Sequence, residues 1–391
     1  MMSKSAAAGD LTVAVVGGGP AGASASRLLA SRGARVTLFE AAPDGEKPCG
    51  GGIPSAAVDA FPDLLGSNLR RRVVREVLII SPSNHRATVP LAGGIHIFSR
   101  HDLDGFLRGR AVAAGASLVC EHVRGIARVG AGWEVRTDAG TRGPFDFLVG
   151  ADGVRSVVRR AVGYSWPDSD LTLALYAYVQ GVSRPEMVLK FLPDIDGYIW
   201  VFPRADHVSV GICARSRSVT HHRLRDELRR FVETQYPEGR FPECDLKGYF
   251  IPASLHPPSP GRAIASRWAL IGDAAGFVDP LTREGIAHAL RSAESMAGML
   301  SASGRISTPP LPANLAWAHL HGRTFYRKSF LEAMTLLAGR SASIRRVLAD
   351  LLAGRQGYRG LKLRLLMNVI SCGREAGLSE LFAAARGAWR P

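Results

Sequence analysis

The stretch from Leu11 to Ala41, LTVAVVGGGPAGASASRLLASRGARVTLFEA, leaves this chain very few ways to fold. LTVAVV is a short apolar, β-branched run that reads as a buried strand. PAGASASRLLASRG reads as a helix, with Pro20 at its start, where a missing N–H costs nothing, and Gly33 past its end. RVTLFE reads as the next parallel strand, which completes a βαβ unit. Gly17, Gly19 and Gly22 hold the positions of a G-x-G-x-x-G turn, with Pro20 and Ala21 inside it. The first glycine permits the tight turn, the second lets a pyrophosphate approach the backbone, and the third lets helix and strand pack closely. Glu40 ends the second strand about 20 residues on, where a carboxylate accepts from a ribose hydroxyl. A glutamate there favours a free 2′-hydroxyl, hence FAD or NAD over NADP.

Two later turns extend the pattern. LVGADGVRSVVRR (148–160) is a strand, the Asp152–Gly153 turn and a helix start. WALIGDAAGFVDPLTREGIAHALRSAE (268–294) is a strand, the Gly272–Asp273 turn, a loop and a helix. Asp273 follows the strand end, where it can accept from a ribitol or ribose hydroxyl. The helix starting near Gly285 aims its N-terminal dipole at an anionic atom. Between these turns, EVLIISP and RATVPL read as a hairpin. Several short strands follow between Leu171 and Ile212. RLRDELRRFVETQY (223–236) is an amphipathic helix, with Leu224, Leu228, Phe231 and Val232 on one side. STPPLPANL (307–315) is a proline-rich joint, and the helix after it places Ile344, Val347, Leu348, Leu351 and Leu352 on one stripe.

Composition narrows the class. The 391 residues are 46% hydrophobic and 21% charged, which suits a globular chain with a substantial core. MMSKSAAAGD has no apolar signal segment, and no run approaches the roughly 18–20 apolar residues of a spanning helix. Cys49, Cys120, Cys213, Cys244 and Cys372 are scattered and odd in number. That argues against a disulfide framework or a zinc site and for a reducing cytoplasm, so no metal is expected. The net charge is +15, and residues 319–391 carry 13 Lys and Arg against four Asp and Glu, a net +9. This excess fits an anionic membrane surface, at the inner face, or an anionic substrate better than nucleic-acid recognition. A solvated helical face is the plainer alternative.

The glycine turn with Glu40, the Asp152–Gly153 turn and the Gly272–Asp273 turn, in this order, resemble the FAD-binding set of the p-hydroxybenzoate-hydroxylase-like flavoprotein superfamily. KPCGGGIP (47–54) and GYIWVFPRADHVSVGI (197–212) resemble the geranylgeranyl reductase family, through Pro48–Gly51 and through Tyr198, Trp200, Phe202 and Pro203. Related halogenases carry a tryptophan where this chain has Tyr198. The resemblance implies an α/β fold. A discontinuous Rossmann-type FAD-binding domain (10–75, 100–165 and 262–305) would carry an inserted antiparallel-sheet substrate domain (76–99 and 166–261). A helical region (306–391) would follow. The implied cofactor is FAD, and the implied activity is reduction of carbon–carbon double bonds in an isoprenoid or polyprenyl lipid or quinone side chain. Hydride would come from reduced flavin N5, with protonation of the alkene. A flavin monooxygenase of an aromatic or polyketide substrate shares the fold, and a lipid-binding flavoprotein without turnover is the non-enzyme alternative.

The same resemblance distributes roles. Gly50, Gly51 and Gly52 would lay bare backbone against the flavin ring, and Cys49 would sit beside it, contacting substrate or supplying a proton. Tyr198, Trp200 and Phe202 fall on one face of a strand and would line the substrate pocket, the first two taking part in catalysis. Arg100 would lie near the flavin side chain, ahead of a helix capped by Asp102. Pro280, Glu284, Gly285 and Ile286 would form the loop over the flavin, in which Arg283 replaces the family's glycine. No second nucleotide fingerprint is present, so NAD(P)H or a ferredoxin would deliver electrons transiently.

Overall fold

The computed structural model describes residues 11–65, 69–182, 184, 186–215, 219–237, 241, 246–252, 264–265, 267–279, 282–300 and 328–354. Strands β1 (Thr12–Val16) and β2 (Arg35–Phe39) flank helix α1 (Pro20–Ala30). β3 (Gly52–Pro54), α2 (Ser55–Ala60), β4 (Arg71–Ile80) and β5 (Arg86–Phe98) follow. Helix α3 (Arg100–Ala113) leads into β6 (Ser117–Val119), β7 (Val123–Val129), β8 (Gly132–Thr137), β9 (Gly140–Phe145) and β10 (Phe147–Gly150). After α4 (Val157–Ala161) come β11 (Leu171–Gln180), β12 (Met187–Phe191), β13 (Gly197–Pro203), β14 (His207–Arg215), α5 (His221–Gln235) and β15 (Lys247–Pro252). β16 (Ile264–Ala265), β17 (Trp268–Leu270), α6 (Ile286–Met299), α7 (Lys328–Arg340) and α8 (Ala342–Leu352) complete the described chain.

These strands form the expected α/β architecture. One sheet runs β16-β17-β10-β1-β2-β6, and all of its pairings except β16 with β17 are parallel. Its central strands are buried on both faces, which explains their unbroken apolar runs. Helix α1 presents Ala21, Gly22, Ala23, Ala25 and Ser26, all buried, so it lies close to the sheet and to Ala289, Ala293 and Ala297 of α6. The second sheet runs β15-β11-β14-β13-β12-β4-β5-β3 and is antiparallel except where β12 meets β4. β7, β8 and β9 form a small third sheet.

Alternation along the eight-stranded sheet sorts its residues by face. Leu175, Ile199, Val201, Val210 and Ile212 pack beneath α5, whose Leu224, Leu228, Phe231 and Val232 are at most 6% exposed. Burying each such side chain contributes about 1.5–3 kcal/mol. Ala174, Tyr176, Leu189, Tyr198, Trp200 and Cys213 form the opposite face. There α7 and α8 pack over β5, through residues that include Leu331, Leu337 and Ile344. The eight-stranded sheet draws in β3 and residues 71–75, which lie ahead of position 76, the expected start of the inserted sheet. The proline-rich joint and most of the basic C-terminal region lie outside the described residues. Among the described residues no helix is long and apolar enough to cross a membrane.

Candidate active site

The glycine turn is built as its spacing requires. Gly17 has φ +100°, and a Cβ there would lie 2.4 Å from the Ala151 carbonyl oxygen. A Cβ on Gly22 would fall 1.8 Å from the Gly17 oxygen, so only glycine lets α1 start this close to the turn. Gly19 is different: the nearest atoms to a Cβ are Arg100 Nη2 at 3.9 Å and Asp104 Oδ2 at 4.0 Å. The space over Gly19 is therefore open, at a helix N-terminus and edged by a guanidinium, as a bound phosphate requires. Arg100 is buried and donates through Nε and Nη2 to Asp104, at 3.0 and 2.8 Å. Burial opposes its charge, but Asp104 outweighs that, and the guanidinium holds its proton more tightly than usual. Glu40 accepts from the N–H of Gly18 at 2.7 Å and of Ala42 at 3.0 Å, behind the turn.

The two later turns converge on this point. Asp152 Oδ2 accepts from the N–H of Val157 at 2.6 Å, while its shielded Oδ1 has no hydrogen-bond partner among the described residues. Burial pushes this carboxyl above its ordinary range. Asp273 Oδ2 lies 3.3 Å from Lys47 Nζ. Gly272, at φ +57°, donates its N–H to Ser292 Oγ at 3.0 Å. Buried Arg159 ties the two turns together, donating to the carbonyls of Val154 and Ala274. An open cradle at Gly19, an orphaned acceptor on Asp152 and the carboxylates of Glu40 and Asp273 fit a dinucleotide cofactor such as FAD.

A cavity of about 260 Å³ begins at Gly19–Ala21. It passes Cys49–Gly52, Arg100, Gly153, Gly272, Asp273 and Glu284–Ile286, and reaches Tyr198, Trp200 and Phe202. The structure thus brings most of the expected residues to one space. Gly17, Gly22, Glu40 and Asp152 stand behind its wall, and Pro280 lies outside the described residues. Leu351 and Leu352 of the helical stripe, both half-buried, close the far side.

The glycine triplet has a specific partner. A Cβ on Gly50 would lie 2.2 Å from the Phe202 ring, and one on Gly52 2.9 Å from it. Gly51, at φ +78°, would put a Cβ 2.0 Å from the Phe98 oxygen. The ring seated against Gly50 and Gly52 is therefore that of Phe202. Gly51 N–H donates to Cys49 Sγ at 3.3 Å, and the thiol helps to raise the proton affinity of Arg100. At the other end of the segment, the Ala56 N–H donates to the Ala353 carbonyl at 3.3 Å, joining the chain after the triplet to the end of α8.

Glu46, which the motif reading passed over, anchors this loop. It accepts from Ser99 Oγ at 2.7 Å, the N–H groups of Arg100 and His101 at 2.9 and 2.8 Å, and Tyr178 Oη at 3.0 Å. Arg204 Nη2 lies 3.5 Å from it. Burial opposes its charge, but these donors outweigh that and hold its carboxyl below the ordinary range. The expectation that Asp102 caps α3 is corrected here. Ser99 is the cap, its Oγ accepting from the Asp102 N–H at 3.4 Å, and Glu46 takes the next free N–H groups.

On the opposite wall, Tyr198 and Trp200 meet with ring centroids 6.3 Å apart, and Tyr198 Oη donates to the Thr282 carbonyl at 2.5 Å. A Cβ on Gly211 would lie 2.1 Å from the Trp200 indole, so the missing side chain lets the indole lie across the sheet. Arg283 lines the cavity at φ +59°, a conformation that favours glycine. Its charge reaches Cys213, whose thiol burial nevertheless pushes up to about 11. Glu284 Oε1 accepts from the Ala287 N–H, in the first turn of α6, at 2.7 Å; burial pushes its carboxyl up to about 7. Glu46, Lys47, Asp104 and Tyr176 are the site residues that motif reading missed. Alternation along β11 is the one signal that could have found Tyr176.

Residues 15–74 match the family model of an NAD(P)-binding Rossmann-like domain. Geranylgeranyl diphosphate reductase of Synechocystis is 33% identical over 355 residues, spanning 81% of this chain and 83% of that protein. The chain belongs to the geranylgeranyl reductase family. Another relative within the geranylgeranyl reductase family is digeranylgeranylglycerophospholipid reductase 2 of Methanothermobacter thermautotrophicus, 30% identical across 75% of this chain and 79% of the relative. Among solved structures, a geranylgeranyl bacteriochlorophyll reductase-like protein of Thermoplasma acidophilum shares the fold, with a TM-score of 0.75 at 22% identity. The match covers 92% of this chain and 99% of that one. Halogenase PltM, solved with phloroglucinol and FAD, shares the fold more distantly, with a TM-score of 0.66 at 16% identity over 97% of this chain and 95% of its own.

Proposed function

We propose that this protein is an FAD-dependent reductase of carbon–carbon double bonds in an isoprenoid or polyprenyl chain. The observation that carries the reading is one cavity joining a dinucleotide cradle to an apolar, aromatic-walled end. Gly19–Ala21 and the α1 N-terminus would hold the pyrophosphate, Glu40 a ribose hydroxyl, and Arg100, Asp152 and Asp273 the linker between. Bound FAD, once reduced, supplies a hydride. An unactivated alkene accepts hydride poorly unless a proton arrives with it, in a space closed to water. The apolar wall from Met187 to Leu352 suits a hydrocarbon chain, which would itself displace water from the cavity. Tyr198, Trp200 and Phe202 present ring faces that stabilise developing positive charge by about 1–2 kcal/mol per dry contact. Cys49 stands beside the triplet to orient the chain. In this reading the parallel-sheet part carries the cofactor and the eight-stranded sheet the substrate. NAD(P)H or a ferredoxin delivers the electrons, and the basic C-terminal region favours an anionic membrane surface.

The test is anaerobic. Photoreduced enzyme should be reoxidised by geranylgeranyl diphosphate, and product mass should count the bonds reduced. Reduced flavin that persists with every prenyl compound, yet turns over with oxygen and a phenol, would move the reading to the monooxygenase. Gly19→Ala checks the cradle separately. A methyl there meets nothing closer than 3.9 Å, so the chain should fold, yet purify without yellow colour.

A further inference from the structure

The cavity wall contains two donors with nothing to donate to. Tyr176, 2% exposed, and Trp200, 7% exposed, both line the cavity, and neither Tyr176 Oη nor Trp200 Nε1 has a hydrogen-bond partner among the described residues. Strand pairing sets them on either side of one glycine: Gly211 on β14 is opposite Tyr176 on β11 and opposite Trp200 on β13. An indole lying over Gly211, where a Cβ would be 2.1 Å from it, extends towards the tyrosine. Leaving a buried donor unpaired costs about 1–3 kcal/mol, and a ligand in the cavity could offset that cost at both. The surrounding wall, Ala174, Met187, Leu189 and Ile251, offers no acceptor and selects a hydrocarbon. The electron-rich groups of a polyprenyl hydrocarbon are its double bonds, and O–H and N–H groups bind π faces weakly.

We infer that Tyr176 and Trp200 form a paired donor site for the π face of the alkene, and that Tyr176 Oη delivers the proton. This rests on the proposed reduction. The proton leaves Tyr176 Oη for one alkene carbon as the hydride from the reduced cofactor adds to the other. The π bond is consumed, two C–H bonds form, and the phenolate recovers a proton from solvent after product leaves. Arg204 lies close enough to favour that phenolate, whereas Glu46 and Cys49 oppose it. Burial pushes the hydroxyl up to about 12, so it stays protonated at working pH and gives up its proton only as hydride arrives. Tyr198 is not equivalent, because its hydroxyl is committed to the Thr282 carbonyl.

The test compares Tyr176→Phe with Tyr236→Phe, a tyrosine packed beneath α5 on the other face of the sheet, each keeping its ring. Both should bind FAD fully. Anaerobic single-turnover reoxidation by geranylgeranyl diphosphate should slow about 100-fold in Tyr176→Phe, with the solvent deuterium isotope effect altered, and little in Tyr236→Phe. A second readout needs no turnover. Oxidised wild type should bind geranylgeranyl diphosphate about threefold more tightly than phytanyl diphosphate, its saturated counterpart, and Tyr176→Phe should lose that preference. A Tyr176→Phe enzyme matching wild type in rate and isotope effect overturns the assignment alone. A wild type that no prenyl substrate reoxidises overturns the proposed function, and this site with it.

Discussion

Gly50 and Glu284 show what single positions contribute, through packing in one case and charge in the other. Position 50 is a glycine, and a Cβ there would sit 2.2 Å from the Phe202 ring. Gly50→Ala should therefore destabilise the protein by about 1–3 kcal/mol. In a Phe202→Leu background the cost should shrink, with a coupling of about 1 kcal/mol by double-mutant unfolding. Equal costs in both backgrounds would show that the two positions are not coupled. The triplet itself announced that something flat must come close, and that much was legible. That the flat group includes a side chain from the far sheet was not, because local sequence carries no record of which distant strand arrives. Glu284 makes a pH prediction. Its carboxyl rises from 4.5 to about 7 in the fold because burial disfavours the charged form. The neutral acid is therefore favoured by folding. Its contribution is complete below about pH 4.5 and lost as pH rises through 7, amounting to about 3 kcal/mol. Glu284→Gln stays neutral, so its stability relative to wild type should climb across that window in denaturant unfolding. A flat difference would mean that the carboxyl is not shifted.

Elements were legible where periodicity was strong. The stripe on α5 and the alternation of 198, 200 and 202 on β13 followed from spacing, because burial on one face imposes a period. The start of α3 was not. Ser99 and Asp102 are both good capping residues, and the choice was made by Glu46, which arrives from another loop and takes two N–H groups of the first turn. The parallel pairing of β12 with β4 was equally hidden, since alternation does not reveal the partner strand. Glu46 thus joins three elements: α3 through its N-terminus, β11 through Tyr178, and the glycine segment through its own backbone. Glu46→Gln keeps the shape but weakens charge-assisted bonds, and should cost about 1–3 kcal/mol. Limited proteolysis should cut earliest near residues 44–52. Unchanged cutting there would show that the loop is held by Phe202 alone.

Across the whole molecule, the site is assembled from pieces far apart in the chain. The cofactor side could be read in order from its three turns, because each turn is a local structure. The cavity could not, because α8 supplies Leu351 and Leu352 from beyond the proline-rich joint. Charge is a property at this scale too. Residues 319–391 carry a net +9. Each Lys or Arg near an anionic bilayer contributes about 1 kcal/mol, so sedimentation with phosphatidylserine-containing vesicles should be strong in low salt and fade as salt is added. Equal binding to neutral vesicles would remove the electrostatic account. One hydrogen bond gives these two ends of the molecule a common fate. The Ala56 N–H donates to the Ala353 carbonyl, so the final turn of α8 is tied to the backbone after the glycine triplet. Docking of the carboxyl-terminal helices and occupancy of the cavity then become linked equilibria, and each strengthens the other by the same factor. Any surface that favours the docked helices would, by that reciprocity, also favour an occupied cavity.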